Sequence, residues 1–121
     1  EYSGVVGVGA LDVIAVGSAI SSSPLTAGVT INQAEELLYC GVGVAGGATI
    51  TTGGGFVQRL NRSSNIAGAI EDKFSTVATA VSGKWSLAVS DDWQCILACF
   101  KAATAAVVAA VVLDESYVMV A

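Results

Sequence analysis

The segment at residues 4–20 constrains the fold most, because it is long, apolar and able to bury two faces. It reads GVVGVGALDVIAVGSAI, with one charged residue, Asp12, and with apolar residues at odd and even positions alike. This pattern is typical of a strand buried on both faces, whereas a strand at a solvated surface alternates apolar with polar residues. We therefore predict a strand that packs against a neighbouring copy of the chain. Its candidate assembly residues are Val5, Val6, Val8, Leu11, Val13, Ile14 and Val16.

The scarcity of charge favours the same interpretation. Apolar residues make up 54% of the chain and charged residues 12%, about half the charged share that is usual in a soluble domain. Large uncharged surfaces tend to mark interaction sites. We expect one domain over residues 1–121, with a single-layer core that is completed by assembly.

The spacing of apolar residues predicts two long helices, at about 65–81 and 91–113. The first has one apolar stripe, made of Ile66, Ile70, Phe74, Val77 and Val81. In the second, Asp91 forms a helix cap, and the stretch at 102–113 (AATAAVVAAVVL) is apolar on every side. Short Gly/Val-rich strands are expected elsewhere, including 49–52, 56–60 and 85–89. The predicted fold class is α+β.

Nothing in the residue pattern indicates an enzyme. Histidine is absent, which removes the commonest general base and the most frequent metal ligand. Adjacent acids on a helix point about 100° apart, so neighbouring acidic pairs do not converge on one reacting atom. The pairs are Glu35-Glu36, Glu71-Asp72, Asp91-Asp92 and Asp114-Glu115. The segment at 41–46 (GVGVAG) matches G-x-G-x-x-G, but it lacks the helix and the following acid that a dinucleotide site needs. We predict no catalytic site, cofactor or metal.

Two sets of residues are candidates for covalent modification. Three cysteines, Cys40, Cys95 and Cys99, predict one internal disulfide and one free or intermolecular thiol if the protein is exported. The alternative is three buried thiols that act as small apolar residues, and the sequence leaves both open. Asn61-Arg62-Ser63 is a glycosylation sequon, so Asn61 is a candidate acceptor if the source glycosylates its exported proteins.

Charge limits the partners. The net charge is −5, and no Lys or Arg occurs before Arg59. No basic cluster exists, so a nucleic-acid partner is excluded, and membrane contact would not be driven by charge. The chain begins at Glu1 rather than Met, which suits a mature exported product. The expected location is extracellular, either secreted or on a virion surface.

Two functions fit these observations. The first is an exported structural subunit, a homo-oligomer that assembles into a filament, a pilus-like fibre or a virion coat. The alternative is a small secreted toxin that acts on membranes. In its predicted Gly/Ala-rich helices, low charge and disulfides, the chain is loosely similar to yeast killer toxins of the α/β-sandwich type. That similarity lies in composition and assigns no role to any individual residue.

Overall fold

A computed structural model describes residues 4–103, and every helix or strand in that range is a β-strand. The strands are β1 (Leu11–Ser21), β2 (Val29–Thr30), β3 (Glu36–Val44), β4 (Ile50–Thr52), β5 (Val57–Arg62), β6 (Ala67–Ser75), β7 (Ala80–Val81), β8 (Trp85–Leu87) and β9 (Asp91–Lys101). The predicted α+β class is therefore wrong for this part of the chain, which is all-β. The short strands predicted at 49–52, 56–60 and 85–89 correspond to β4, β5 and β8.

Five strands form one antiparallel sheet in the order β1-β9-β3-β6-β5. β3 is the central strand, and β1 and β5 are the two edges. The short strands form two small pairs, β2 with β7 and β4 with β8. These pairs and their loops pack over one face of the large sheet, which we call the inner face.

The inner face has a core that the chain covers by itself. Alternate residues of the long strands supply its floor: Leu38, Cys40, Val42, Val44, Ala67, Ala69, Trp93, Cys95, Leu97 and Cys99. Ile31, Ile50, Trp85 and Leu87 cover that floor from the small strand pairs and loops. The core is thus not a single layer that waits for assembly, because a second layer from the same chain already covers this side.

The helix predicted at 65–81 is instead β6 followed by a loop and β7. Residues four apart lie on one face of a helix, but they also lie on one face of a strand. The spacing from Ile66 to Ile70 and Phe74 therefore could not distinguish the two structures. The strand is defined by pairing of β6 with β3 along its whole length, which buries Ala67, Ala69 and Glu71 at a period of two.

The helix predicted at 91–113 is also wrong within the described residues, because Asp91–Lys101 form β9. This strand is hydrogen-bonded to β1 on one side and to β3 on the other. Its buried residues Trp93, Cys95, Leu97 and Cys99 alternate, which the capping pattern and the following Ala/Val stretch obscured. Residues 104–113 of the prediction lie outside the described residues. Between residues 4 and 103 there is no helix that could span a membrane.

The apolar segment at 4–20 contributes the edge strand β1 to the chain's own sheet. It pairs with β9 from Leu11 to Ser21, with a bulge between Leu11 and Val13. Its free edge is partly occupied, since the carbonyl of Val16 accepts a hydrogen bond from the Ala27 N–H (3.0 Å). Separately from its edge, β1 has two different faces: one face turns to the core, and the other turns to solvent.

Candidate functional site

The most unusual feature of the molecule is the second face of the large sheet, which we call the outer face. Within residues 4–103, no second layer of strands packs over it, although Val5 reaches its edge beside Leu37, Tyr39 and Phe100. Several of its large apolar side chains are between 47% and 62% exposed, among them Ile14, Val16, Leu60, Phe74 and Ile96. Others, including Leu37, Ile70 and Phe100, are half-buried. Single exposed apolar residues are ordinary, but a contiguous apolar patch marks an interaction site.

Strand register arranges the outer face in four rows that cross the sheet, each named here by its residue on β3. The Leu37 row contains Leu11, Phe100, Leu37 and Phe74, and the Tyr39 row contains Ile14, Ala98, Tyr39, Asp72 and Val57. The Gly41 row contains Val16, Ile96, Gly41, Ile70 and Leu60, and the Gly43 row contains Ser18, Gln94, Gly43, Gly68 and Arg62.

The rows divide the outer face into a high half and a low half. The high half is formed by the Leu37 and Tyr39 rows, in which β3 carries Leu37 and Tyr39 and their neighbours include Phe100 and Phe74. This half is not uniformly high, because Ala98 and Asp72 flank Tyr39 and a hollow lies between Val5, Leu37, Tyr39 and Phe100. In the low half, Gly41, Gly43 and Gly68 leave a trough with a volume of about 870 Å³. Val16, Leu60 and Ile66 are among the residues that line it. Along β3 the face therefore steps down from Leu37 and Tyr39 to Gly41 and Gly43, while Ile96 on β9 and Ile70 on β6 stand beside the trough.

The three trough glycines are not required by the fold of residues 4–103. A Cβ atom on Gly43 would meet nothing within 4 Å, and on Gly41 or Gly68 it would make ordinary contacts at 3.9 and 3.5 Å. None of the three has a positive φ. Glycine within a strand costs about 0.5–1 kcal/mol relative to alanine, and it often marks a close approach by another molecule. Packing among residues 4–103 thus gives no reason for the trough.

Few charges lie on the outer face. Asp72 is buried there and accepts a hydrogen bond from Arg59 Nε on the bulge of β5 (2.8 Å). Arg62 lies at the β5 end of the Gly43 row. The centre of the face, around Ile96, Gly41 and Ile70, has no ionised side chain.

The seven predicted assembly residues do not share one surface. Leu11, Ile14 and Val16 lie on the outer face, whereas Val13 packs against the core of the inner face. The other three precede β1. Among them, Val5 bridges to Ala102, the Val6 N–H donates to the Lys101 carbonyl (3.0 Å), and Val8 is 93% exposed.

Most of the outer face was missed because its residues come from β6 and β9, which were predicted as helices, and from β3, where no strand was predicted. Leu37, Tyr39, Gly41 and Gly43 all belong to β3, whose sequence is ELLYCGVGV. A strand with apolar residues on both faces has no alternation to reveal it. The available signal was weak: one aromatic residue, Tyr39, and two β-branched residues, Val42 and Val44, lie close to Cys40.

The three cysteines all lie buried on the inner face, where the structure holds them as free thiols. Of the two alternatives drawn from the sequence, this arrangement is the one with three buried thiols and no disulfide. Burial raises the pKa of Cys95 to about 11 and that of Cys99 to about 12, and it raises the pKa of Cys40 further. Thiols in this state are poor nucleophiles, because the thiolate is the reactive form.

Two carboxyl groups that are distant in sequence meet beside β9. Asp12 accepts hydrogen bonds from the Asn32 N–H (2.9 Å) and Asn32 Nδ2 (2.7 Å), and Lys101 Nζ lies 3.9 Å from it. Although burial opposes this effect, those bonds and a contact with Glu36 lower the pKa of Asp12. Burial raises the pKa of Glu36 to about 7, and the neighbouring Asp12 carboxylate adds to that increase.

The Asp12–Glu36 pair is closed to substrates. The Glu36 side chain is completely buried, and its two carboxyl oxygens make no hydrogen bond. A carboxyl pair can exchange a proton with a substrate only if the substrate can reach it. The pair therefore does not form an open active site. It was not predicted, because only acids adjacent in the sequence are visible there as pairs.

The remaining candidate residues serve the fold. Asn61 Nδ2 donates to the Ile50 carbonyl (2.7 Å) and to Gln58 Oε1 (3.1 Å), so this amide joins β5 to β4. Among residues 4–103, no group of three or more His, Cys, Asp or Glu side chains is placed to hold a metal ion.

No known protein family matches the chain, and neither a curated protein nor a solved structure is recognisably similar to it. Its function is therefore inferred from its own surface. The outer face is the feature that neither the fold nor the core explains.

Proposed function

We propose that the chain is an exported, non-catalytic structural subunit that associates with copies of itself through the outer face. The observation that carries this proposal is the contrast between the two sides of one sheet. The inner face is covered by the chain's own loops, whereas the outer face exposes Ile14, Val16 and Ile96 around an apolar trough. Burying apolar surface is the main favourable term in protein association.

The size of the outer face suits this role. Five strands about 4.8 Å apart and four rows about 6.6 Å apart give roughly 600 Å² in each copy. Two such faces in contact would bury about 1,200 Å², near the lower limit for a specific interface. The exposed neighbour Ile66 would enlarge that contact.

A second copy is favoured over a lipid bilayer as the occupant. A net charge of −5 gives no attraction to anionic lipid. The step in height across the outer face also fits a protein surface of definite shape better than fluid acyl chains. A membrane-active toxin is therefore the second candidate, and the experiment below distinguishes it.

Assembly beyond a pair needs a further contact. A two-fold interface closes on itself, so a filament or shell requires a second type of surface. The edge strand β5 is a candidate surface, because unpaired strand edges can accept another chain. The edge of β1 is a weaker candidate, since the Ala27 N–H already occupies the Val16 carbonyl.

The test places a charge at the centre of the outer face. Ile96 is 47% exposed, so Ile96→Lys is tolerated in the single subunit but leaves an unpaired ammonium inside the proposed interface. The matched control is Val89→Lys, at a 60% exposed position in the turn between β8 and β9. Light scattering after size exclusion, over a wide micromolar range, measures the mass of each.

We expect the unchanged chain and Val89→Lys to associate and Ile96→Lys to be monomeric. A monomeric unchanged chain at the highest concentration contradicts self-association. If that monomer also releases dye from phosphatidylcholine vesicles and Ile96→Lys does not, the toxin candidate replaces the structural one.

A further inference from the structure

We propose that two copies pair about a two-fold axis that crosses the strands between the Tyr39 and Gly41 rows, so that the high half of each outer face fills the trough of the other. This inference rests on the proposed function, because it specifies the arrangement of the same interface. The partner is a second copy of this chain.

The arrangement follows from the strand register. A two-fold axis in the plane of the interface and perpendicular to the strands reverses the direction along each strand. It leaves the order of the strands unchanged, so β3 faces β3 and β6 faces β6. The Leu37 row then lies over the partner's Gly43 row, and the Tyr39 row lies over the partner's Gly41 row.

Each trough glycine is thereby placed opposite a large side chain. Leu37 lies over the partner's Gly43, and Tyr39 lies over the partner's Gly41. On the neighbouring strand, Phe74 lies over the partner's Gly68. The symmetry repeats each contact, so one register explains three glycines that packing among residues 4–103 leaves unexplained.

The other two-fold arrangement of the same faces is much worse. An axis parallel to the strands places every row on its own copy, so the Leu37 row meets the partner's Leu37 row. The two high halves then collide, while two troughs of about 870 Å³ face each other. Large voids are rare in packed interfaces because the atoms that line them lose contacts.

Sheet twist and charge are compatible with the proposed arrangement. Packed sheets lie at about 30° to each other, so the register applies near the central strand and drifts toward β1 and β5. The ion pair of Asp72 with Arg59 faces the partner's Gly41 row, which carries no charge. Like charges are therefore not opposed at the centre.

The first experiment fills the trough. Gly43→Val adds a side chain where a Cβ meets nothing within 4 Å, so the subunit keeps its fold and gains a residue that favours strands. We expect its self-association to weaken by about tenfold or more. Gly28→Val is the matched control, since Gly28 also has open space and lies in the loop before β2.

The second experiment is a mixing test that depends on orientation. Leu37→Ala shortens the high half but leaves the trough open, so this variant also associates weakly. When Gly43→Val is mixed with Leu37→Ala, the mixed pair has one complete contact: Leu37 of the Gly43→Val chain lies in the open trough of the Leu37→Ala chain. At the symmetry-related contact, the short Ala side chain at position 37 leaves room for the Val side chain at position 43.

We expect the mixed pair to be about tenfold or more tighter than either homodimer. Sedimentation of one fluorescently labelled variant, titrated with the other, measures this affinity. Circular dichroism verifies that each variant is folded, and Gly43→Ala replaces Gly43→Val if the larger residue disturbs β3.

The outcomes distinguish an error in the proposed axis from an error in the proposed self-association. If the unchanged chain associates but the mixture gains nothing, the proposed axis is wrong while self-association stands. If Gly43→Val associates as well as the unchanged chain, the trough is not part of the contact. If the unchanged chain is a monomer, the proposed function itself fails.

Discussion

Gly43 on β3 and Gly68 on β6 are direct register partners, so two adjacent strands lack side chains at the same point of the outer face. A single glycine would leave only a dimple in the sheet. Two paired glycines, with Gly41 next along β3, form a trough instead. Glycine weakens a strand and often marks a close approach by another molecule. The trough is therefore the surface that we propose for contact with a second copy.

The trough glycines should be replaceable in the isolated subunit. We expect Gly68→Ala to raise the free energy of unfolding by about 0.5–1 kcal/mol, because alanine loses less backbone entropy in a strand. Urea denaturation at dilute concentration, where pairs dissociate, measures this gain. Gly17→Ala is the control on β1, where a Cβ would overlap the Leu25 carbonyl oxygen. A loss of stability in Gly68→Ala but not in Gly17→Ala would contradict the described backbone.

Adjacent residues on β9 should differ sharply in their contribution to stability. Leu97 is completely buried on the inner face, so Leu97→Ala should cost about 2–5 kcal/mol. Ile96→Ala should cost under about 1 kcal/mol in the monomer, because its side chain faces solvent. Denaturation of both variants measures the difference. Equal losses would indicate that residues 91–101 do not form a strand with one buried face.

Phe74 shows how the corrected fold changes an expectation drawn from sequence. In the predicted helix at 65–81 its side chain lines the core, and its replacement by alanine is expected to cost about 3–5 kcal/mol. In β6 it is about half exposed on the outer face. Its loss should therefore weaken association more than it weakens the folded subunit.

The composition could predict a large apolar surface, but not where that surface lies among residues 4–103. The short strands β4, β5 and β8 were predictable, because turn residues and glycines separate them. β6 and β9 were not, because spacings of four residues fit a helix and a strand equally well. The outer face depends on the pairing of β3 with β6 and β9, and long-range register leaves no local pattern.

The thiols should be protected in the folded protein. Cys40, Cys95 and Cys99 are buried, and burial raises their pKa values. We expect a thiol reagent at pH 8 to label them only as fast as the chain opens. Val89→Cys supplies an exposed thiol as a positive control, and mass spectrometry measures the labelling. Rapid native labelling of any of the three would contradict the packing of the inner face.

Stability should be greatest in mild acid, because two buried carboxyl groups resist ionisation. Burial raises the pKa of Glu71 to about 7, against a smaller lowering by the nearby Lys84 backbone, and neither of its carboxyl oxygens makes a hydrogen bond. The folded chain therefore holds this proton more tightly than the unfolded chain, whose glutamates have pKa values near 4.5. The stability from protonated Glu71 is complete below about pH 4.5 and is lost as the pH rises through 7.

Replacing Glu71 with glutamine should remove this dependence while keeping the shape of the side chain. We expect Glu71→Gln to change little near pH 4.5 and to stabilise the fold at pH 8 by roughly 3 kcal/mol, the equivalent of the pKa difference. Part of the slope should persist, because the pKa of Glu36 is also raised to about 7 and Glu36 is unchanged in this variant. Urea denaturation from pH 4.5 to pH 8 measures the slope, and Asp92→Asn, at an exposed position, is the control. The range stops at pH 4.5 because Asp12, whose pKa is lowered, loses its own stabilising contribution in stronger acid. A slope that Glu71→Gln leaves unchanged would mean that this carboxyl reaches water in the folded state.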